Sequence, residues 1–427
     1  MNNDLLADDA AYVWHPYTPL LIKRAYQEVV AAKGMYLHLE DGTTLLDGIS
    51  SWWVNIHGHG NEYLANVVRD QILLLDHTLF AGFTHKPAVT FAKKLLDIIQ
   101  CDQKRVFYSE NGSTAVEVAL KLAVQYWKNK GEDRTVFLAL EGAFHGDTFG
   151  AMSVSARSLF TASFDKLLHE VLYIPFPDGT NDAEVLEHLE TYLKNKSVAA
   201  FIYEPLIQGT AGMKIYSPAI LDKMIQLCRN YDVLCIADEV MTGFGRTGKD
   251  FASHYCDSSP DMMCFSKAIT GGLLPLGVTT CNALVEEPFA TEDFNKAFFH
   301  GHSYMANATI CQLALASLSL FDSQECRDNI ERISKSHEIF LTKIQSHSAI
   351  KRIQSIGTIL AIEVQTKNGL SAYDHSIRHY LYDYFIERGI LLRPLGNIIY
   401  IIPPYIIDNQ QLKFIYETIE TMLDSLQ

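Results

Sequence analysis

The sequence predicts an α/β protein with a mainly parallel sheet, followed by a smaller α+β domain. Apolar strand-like runs alternate with amphipathic helical runs between residues 104 and 267, a pattern typical of strand–helix–strand crossovers. From about residue 322 the pattern changes to a polar helix, short strands and a final amphipathic helix. We therefore predict a large domain over residues 61–321 and a small domain over 322–427, which residues 1–60 join.

In the large domain the strands are predicted from short apolar runs that end at glycine, proline or polar residues. These runs cover residues 104–109, 135–140, 197–204, 233–240 and 262–266. Helices are predicted in two pieces between residues 61 and 100, then at 114–127, 217–229 and about 304–321. The helix after residue 114 has an apolar stripe at helical spacing, formed by Val116, Ala119, Leu120, Ala123, Val124 and Trp127.

At the two ends of the chain the predicted elements are shorter. Two strands are predicted between residues 29 and 47, around a turn at 40–43. The C-terminal part predicts helices at 324–345 and 373–388, strands at 357–364, 389–394 and 398–403, and a final helix. Trp52 and Trp53 are adjacent and cannot share one face of a helix or strand. One of them is expected in the core and the other at a surface or pocket.

Composition excludes several classes of function. The chain of 427 residues has a net charge of −15 and no basic run, so we expect neither nucleic-acid binding nor docking on an anionic membrane. It contains no apolar run near the ~18 residues that a transmembrane helix needs, and its polar, acidic N-terminus does not look like a secretory signal. Eight scattered cysteines indicate reduced thiols and a cytoplasmic protein. No metal site is predicted, since His57 and His59 form only an isolated pair.

Two chemically important residues stand at the ends of strand-like runs. Asp238 ends the apolar part of the run 233–240, and Lys267 directly follows the run 262–266. Ligands bind at the carboxyl ends of strands in open α/β sheets. Pyridoxal phosphate needs a lysine amine for its Schiff base and a carboxylate beside its pyridine nitrogen, so the pair favours a site for this cofactor. The alternative is a structural ion pair between the two side chains.

A second candidate feature lies at the start of the helix with the apolar stripe. Gly112, Ser113 and Thr114 are predicted at its N-terminus, where free N–H groups and the helix dipole favour a phosphate. The alternative is an ordinary Ser/Thr N-cap. Phe144 lies in a strand-exit loop between Gly142 and Gly146, where a flat aromatic ring covers either a bound ring or the core.

Two motifs carry a resemblance to a known family. Residues 236–248 read Ile-Ala-Asp-Glu-Val-Met-Thr-Gly-Phe-Gly-Arg-Thr-Gly, and they are followed by Ser266-Lys267-Ala268. With these motifs the chain closely resembles the class III pyridoxal-phosphate aminotransferases over nearly its whole length. The resemblance implies fold type I, with a large domain built on a mainly parallel seven-stranded sheet and a small α+β domain.

Within that class the chain is most similar to members that transfer an amino group from S-adenosyl-L-methionine to 8-amino-7-oxononanoate in biotin biosynthesis. The segments that carry this similarity are 14–18, 49–53, 145–153 and 393–396, with Tyr400 and 403–405. The resemblance implies a ping-pong reaction through a Schiff base on Lys267, and a homodimer with shared active sites.

The family's site residues carry over to matching positions of this chain. For the cofactor they are Gly112, Ser113, Phe144, Asp238, Lys267, His302 and Ser303, the last two reaching the phosphate of the neighbouring subunit. For the substrates they are Tyr17, Trp52, Trp53, Phe144, Asp147, Lys267, Gly301, Arg393 and Tyr400, with Arg393 taking the substrate carboxylate. Lys267 is the catalytic residue.

Two positions depart from the usual family pattern. Phe144 stands where the family usually has tyrosine, and His302 where it usually has proline. The amino donor is expected to be S-adenosylmethionine, with lysine as the alternative. Two further alternatives are a class III ω-aminotransferase acting on ornithine, 4-aminobutyrate or a diamine, and a non-catalytic protein on the same fold.

Overall fold

The computed structural model describes residues 5–21, 26–366 and 377–426. Its α-helices are α1 (Leu5–Tyr12), α2 (Ser50–Trp53), α3 (Glu62–Leu74), α4 (Lys86–Ile99), α5 (Gly112–Asn129), α6 (Phe149–Val154), α7 (Asp182–Leu193), α8 (Pro218–Asn230), α9 (Ala283–Glu286), α10 (Ala308–Phe321), α11 (Gln324–Ile344), α12 (Ile377–Ile386) and α13 (Asn409–Asp424). Among the described residues, no helix is both long enough and apolar enough to span a membrane.

The strands form four sheets. They are β1 (Val29–Lys33), β2 (Tyr36–Leu39), β3 (Thr44–Asp47), β4 (Gln103–Ser109), β5 (Val136–Leu140), β6 (Val171–Ile174), β7 (Val198–Tyr203), β8 (Ile207–Gln208), β9 (Lys214–Ile215), β10 (Leu234–Asp238), β11 (Met262–Phe265), β12 (Gly277–Asn282), β13 (Ile350–Ile356), β14 (Ile359–Val364), β15 (Ile390–Leu391) and β16 (Ile398–Ile401). The largest sheet has seven strands in the order β4-β12-β11-β10-β7-β5-β6.

The central sheet is parallel except for one strand. β12 runs antiparallel to both of its neighbours, β11 and β4, whereas β11, β10, β7, β5 and β6 pair in parallel. β10 and β11 are adjacent, and Asp238 pairs in register with Cys264. The ends of both strands therefore lie at the same edge of the sheet, which brings Asp238 and Lys267 to one place.

Both faces of this sheet are buried, which explains its continuous apolar runs. In β10, Cys235 and Ala237 belong to one core cluster, and Leu234 and Ile236 belong to another. The second cluster includes the apolar stripe of α5, so this helix covers one face. Asn111 caps α5 by accepting a hydrogen bond from the Thr114 N–H, while the Thr114 hydroxyl accepts one from the Asn111 N–H. This capping box fixes where the helix begins.

One of the smaller sheets joins the two ends of the chain. β15 from the C-terminal part pairs with β3 from the N-terminal part, in the four-stranded sheet β1-β2-β3-β15. A three-stranded antiparallel sheet, β13-β14-β16, lies in the C-terminal part. The predicted division into domains, with residues 1–60 joined to the small domain, stays a prediction.

The predicted fold class, a seven-stranded mainly parallel sheet with an added α+β part, is confirmed. Several element predictions need correction. Residues 29–47 form three strands rather than two, because a second turn lies between β1 and β2. Strands β6, β12 and β13 were not predicted, and α10 begins at Ala308 rather than near residue 304. Part of the helix predicted at 373–388 lies outside the described residues.

Candidate active site

A cavity of about 650 Å³ lies at the carboxyl ends of β10 and β11. The N-terminus of α5 and the loops after β5, β7 and β11 complete its wall. Seven residues predicted for the site line it, namely Trp53, Gly112, Ser113, Phe144, Asp147, Asp238 and Lys267. A volume of this size suits a small-molecule site.

Lys267 is held in an unusual backbone conformation. Its φ is +48°, a left-handed value that non-glycine residues adopt only when the surrounding structure imposes it. The preceding residue is anchored by the Ser266 hydroxyl, which donates to the Leu276 carbonyl at 2.6 Å. The Lys267 Nζ lies 4.6 Å from the centre of the Trp53 ring. The amine is thus directed into the cavity against an indole wall.

The environment of Lys267 makes its neutral form easier to reach than that of an ordinary lysine. Burial lowers the pKa of the Lys267 amine to about 8, the Asp238 and Glu204 carboxylates raise it, and the Arg246 guanidinium lowers it. Burial is the largest of these effects because an isolated ammonium loses its hydration in the protein interior. A lysine with this pKa is a nucleophile and a proton acceptor near neutral pH.

Asp238 is a buried carboxylate, 5 % exposed, with a fixed orientation. Its Oδ2 lies 2.7 Å from Nδ1 of His145, and its Oδ1 accepts the Val240 N–H at 3.1 Å. His145 is also buried, and its Nε2 has no hydrogen-bond partner among the described residues. Since Nδ1 faces a carboxylate, it carries the proton and donates. An anionic Asp238 oriented in this way suits a protonated pyridine nitrogen.

Glu204 joins two walls of the cavity. Its carboxylate accepts the Phe144 N–H at 3.0 Å and the Gly209 N–H at 2.9 Å. Burial raises the pKa of Glu204 to about 7, while His145 and the Gly209 N–H lower it. Glu204 therefore changes charge near neutral pH and positions the loop that carries Phe144.

The first turn of α5 forms a cradle of small residues beside the cavity. A Cβ on Gly112 would lie 2.8 Å from Cγ1 of Val240, and a Cβ on Gly146 would collide with the Ser113 hydroxyl. The Ser113 hydroxyl accepts the Asp147 N–H at 3.2 Å. Because the first N–H groups of a helix lack partners within it, this glycine-lined end is suited to a phosphate.

Four of the remaining predicted substrate residues lie around the cavity without lining it, namely Tyr17, Trp52, Arg393 and Tyr400. Tyr17 donates a hydrogen bond to the Asp147 carboxylate, and its ring lies 6.1 Å from that of Trp52. The Arg393 guanidinium lies 4.3 Å from the centre of the Trp52 ring. The rings of Trp53 and Tyr400 are 5.9 Å apart. These contacts connect the N-terminal and C-terminal parts of the chain around one site.

Gly301, His302 and Ser303 lie apart from this cluster. The His302 Nε2 is 2.7 Å from a carboxylate oxygen of Glu110, and the Ser303 carbonyl accepts a hydrogen bond from His77 at 2.6 Å. Gly301 is exposed. Their assignment to a neighbouring subunit's phosphate stays a prediction.

Two buried charged residues were not singled out from the sequence, although both stand in the motif 236–248. Glu239 is fully buried and accepts the Ala252 and Ser253 N–H groups at 3.1 and 2.7 Å, so it holds the loop after β10. Arg246 is also fully buried, and it donates to the Pro403 carbonyl at 2.8 Å and to the Trp53 carbonyl at 3.3 Å. The sequence feature that could have identified both residues is a charged side chain within a glycine-rich motif.

Comparisons with known proteins agree with this geometry. The family model "Aminotransferase class-III" matches residues 22–423. A curated relative from Synechococcus elongatus, named adenosylmethionine-8-amino-7-oxononanoate aminotransferase, is 41% identical over 97% of this chain and 99% of its own length. A crystal structure of the enzyme of that name from Methanocaldococcus jannaschii superimposes with a TM-score of 0.91 at 32% identity, covering 98% of each chain.

An amine transaminase from an uncultivated Pseudomonas species, described in its pyridoxal-phosphate-bound form, gives a TM-score of 0.91 at 26% identity over 97% of this chain and 98% of its own. Class III aminotransferases depend on pyridoxal phosphate, in agreement with the lysine, carboxylate and glycine cradle found here. The fold, the site and the match over residues 22–423 lead to one conclusion: the chain belongs to the class III aminotransferase family.

Proposed function

We propose that the protein transfers an amino group from S-adenosyl-L-methionine to 8-amino-7-oxononanoate, a step of biotin biosynthesis, with pyridoxal phosphate as its cofactor. The observation that carries the proposal is the cavity in which Lys267, with a pKa of about 8, lies near the Asp238 carboxylate. The names of full-length relatives, at up to 41% identity, support the choice of substrates.

The residues of the cavity fit the cofactor. Asp238 is suited to hold the pyridine nitrogen protonated, Phe144 to cover the ring, and Gly112 and Ser113 to hold the phosphate. The unpartnered, buried Nε2 of His145 marks a polar site that a bound group can complete. When bound, pyridoxal phosphate supplies an aldehyde that captures amines and a ring that accepts electrons.

The chain's own residues then orient the substrate and move protons. The Lys267 amine is suited to act as acid and base at the reacting carbon of the substrate. Trp52 and Trp53 offer apolar walls to the aliphatic chain of the substrate. Arg393 pairs with the carboxylate through its planar guanidinium fork.

A homodimer with shared active sites is part of this proposal. The end of α3 leaves Leu73 and Leu74 81% and 82% exposed, and Tyr304 is 70% exposed beside His302 and Ser303. Exposed apolar side chains of this size support an interaction site in this part of the chain. His302 and Ser303 directly precede Tyr304 in the sequence and are assigned to the partner's phosphate.

The location and the domain division complete the assignment. A cytoplasmic location agrees with free thiols at all eight cysteines, and the net charge of −15 argues against a nucleic-acid partner. The large domain comprises residues 61–321 around the seven-stranded sheet, and the small domain comprises 322–427 with residues 1–60 joined to it.

The amino donor has one alternative. Phe144 provides a ring without the hydroxyl that the family usually has at this position, whereas Tyr17 and Asp147 are present and hydrogen-bonded to each other. The hydrogen bond between Tyr17 and Asp147 supports S-adenosylmethionine as the amino donor. Lysine is the second candidate donor, because related enzymes of the class use it.

The test follows one half-reaction by absorbance. The purified protein loaded with pyridoxal phosphate is mixed separately with S-adenosylmethionine and with lysine, and loss of the lysine-bound cofactor band is recorded. 8-Amino-7-oxononanoate is then added, and diaminononanoate is measured. We expect bleaching by S-adenosylmethionine and recovery on addition of the keto acid.

Other results are equally informative. Bleaching by lysine alone would identify lysine as the amino donor and leave the assignment of the acceptor unchanged. An ω-aminotransferase becomes the better assignment if neither S-adenosylmethionine nor lysine bleaches the enzyme, and if the keto acid does not restore the band of enzyme that another amine has converted to its amine form. The Lys267→Ala variant is the control, because it must lose turnover while it keeps the fold.

A further inference from the structure

The turn that carries the two tryptophans has a strained backbone. Ser50, Ser51 and Trp53 have φ values of +54°, +61° and +67°. Three left-handed non-glycine residues among four are rare, because each places its Cβ close to a backbone carbonyl. Such strain persists only where surrounding contacts impose it, and it concentrates at functional sites.

The contacts that impose this conformation converge on Asp47. This carboxylate is fully buried and accepts the Ile49 N–H at 3.1 Å and the Ser51 N–H at 2.7 Å. His59 holds it from the other side, with Nε2 at 2.8 Å from Oδ2. Asn55 orients the same imidazole, its amide nitrogen lying 3.2 Å from Nδ1.

Two further contacts close the ends of the turn. The Ser50 hydroxyl donates to the Ile402 carbonyl at 2.8 Å, and Arg246 donates to the Trp53 carbonyl at 3.3 Å. These bonds fix the ends. Within the turn, the Trp53 N–H donates to the Ile49 carbonyl at 2.9 Å, and Asp47 is the side chain that accepts N–H groups there in the described hydrogen bonds.

The strained turn has a direct effect on the two indoles. Adjacent side chains in a regular strand or helix point in different directions and cannot both face one site. Here the Trp53 ring lies 4.6 Å from the Lys267 amine, while the Trp52 ring lies 4.3 Å from the Arg393 guanidinium. The turn therefore places consecutive indoles against two different cations of the site.

We propose that Asp47 and His59 are positioning residues that hold this turn, and that they thereby set how the site binds the carboxylate-bearing acceptor. The inference rests on the proposed function for the identity of that acceptor. Asp47 orients the turn through two backbone N–H groups, and His59 keeps the carboxylate in place. The indoles then present a wall of defined position between Lys267 and Arg393.

The test compares Asp47→Asn and His59→Gln with a matched control. Asp41→Asn is the control, because Asp41 also accepts a local backbone bond, from the Thr43 N–H at 2.9 Å, but lies on an exposed turn. Each holoenzyme is assayed for the KM and kcat with 8-amino-7-oxononanoate. Near-ultraviolet circular dichroism reports the packing of the chain's 4 tryptophans, and far-ultraviolet dichroism reports the fold.

We expect Asp47→Asn to raise the KM for the keto acid about tenfold, the factor that a loss of one well-placed interaction produces. The near-ultraviolet signal changes while the far-ultraviolet spectrum is retained, and His59→Gln gives a smaller change in the same direction. Asp41→Asn alters neither quantity. In a Trp52→Ala background, Asp47→Asn raises the KM less than twofold, because its effect passes through that indole.

An unchanged KM and near-ultraviolet spectrum in Asp47→Asn, accompanied only by a lower melting temperature, overturns the inference. The inference is also overturned if the effects of Asp47→Asn and Trp52→Ala on the KM are fully additive. If Asp47→Asn fails to fold, His59→Gln carries the same comparison. If the wild-type enzyme does not use the keto acid, the proposed function fails, and the near-ultraviolet comparison still decides whether Asp47 holds the turn.

Discussion

The pKa of Lys267 leads to a prediction about how fast the enzyme captures its cofactor. Only the neutral amine attacks an aldehyde. With a pKa of about 8, about one tenth of Lys267 is neutral at pH 7, whereas a lysine with the ordinary value would be neutral in only about one molecule in 3,000. Burial therefore raises the reactive fraction at pH 7 roughly 300-fold.

The perturbation is Glu204→Gln. The Glu204 carboxylate raises the pKa of Lys267, and its own pKa of about 7 means that it is mostly charged at pH 8. Removing that charge lowers the pKa of Lys267 and increases its neutral fraction at pH 7. Since about a tenth is already neutral, the gain at pH 7 is limited to roughly tenfold.

The assay uses apoenzyme mixed with pyridoxal phosphate in a stopped-flow spectrometer between pH 6.5 and 9.5. The association rate of the wild type is expected to rise with pH and to level off above a midpoint near 8. The midpoint of Glu204→Gln is expected below that of the wild type.

A matched control is Asp261→Asn. Asp261 is also a buried carboxylate that accepts a backbone N–H, from Cys235 at 2.8 Å, but it is not among the groups that act on the pKa of Lys267. Its substitution should leave the midpoint unchanged. A wild-type midpoint near 10, or an upward shift in Glu204→Gln, would refute the reasoning about burial and charge.

Two further predictions concern the predicted substrate and phosphate residues. Arg393→Gln should raise the KM for the keto acid about tenfold or more, since it removes a charged partner of the carboxylate. Steady-state kinetics with each substrate varied in turn test this prediction. An effect confined to the KM of the amino donor would contradict it. His302→Gln should weaken the binding of pyridoxal phosphate severalfold more than that of pyridoxal, because it leaves the Glu110 carboxylate, two residues before Gly112 of the cradle, without its partner at 2.7 Å. Glu110→Gln combined with His302→Gln should restore the affinity measured by titration of apoenzyme; equal losses for both ligands would exclude this charge effect.

The residues that were predicted well are those whose signal is local. Asp238 and Lys267 end continuous apolar runs, and a run of this kind predicts both a buried strand and the position of its end. The start of α5 could also be predicted, because its apolar stripe at helical spacing begins at Val116, one turn after Gly112. In these cases the residues that define an element are neighbours in the sequence.

The features that were missed depend on distant partners. β12 reads Gly-Val-Thr-Thr-Cys-Asn, a weak strand pattern that is stabilised by pairing with β4 and β11. β13 is largely polar in sequence and pairs with β14. The contact between His145 and Asp238 joins the loop after β5 to the last residue of β10. Pairing across the fold, rather than propensity, determines these features.

The strained turn at the tryptophans is a further feature that depends on distant partners and could be predicted only in part. The sequence indicated that Trp52 and Trp53 would have different environments, and Trp53 is indeed buried while Trp52 is 38% exposed. It did not indicate that the buried indole would be the one beside Lys267. Three positive φ values in a segment without glycine cannot be read from local preference, because they are imposed by Asp47 and its neighbours.

The placement of β12 has a consequence for how the protein is made. β4 has one neighbour in the seven-stranded sheet, β12, and Ser109 pairs with Gly277. A nascent chain therefore completes β4 and the glycine cradle long before the ribosome supplies their partner strand. Pairings of such high contact order close slowly, and an unpaired strand exposed in the meantime invites association with other chains. The ability to hold the cofactor is consequently a late product of folding, gained only when the sheet has closed around both halves of the site.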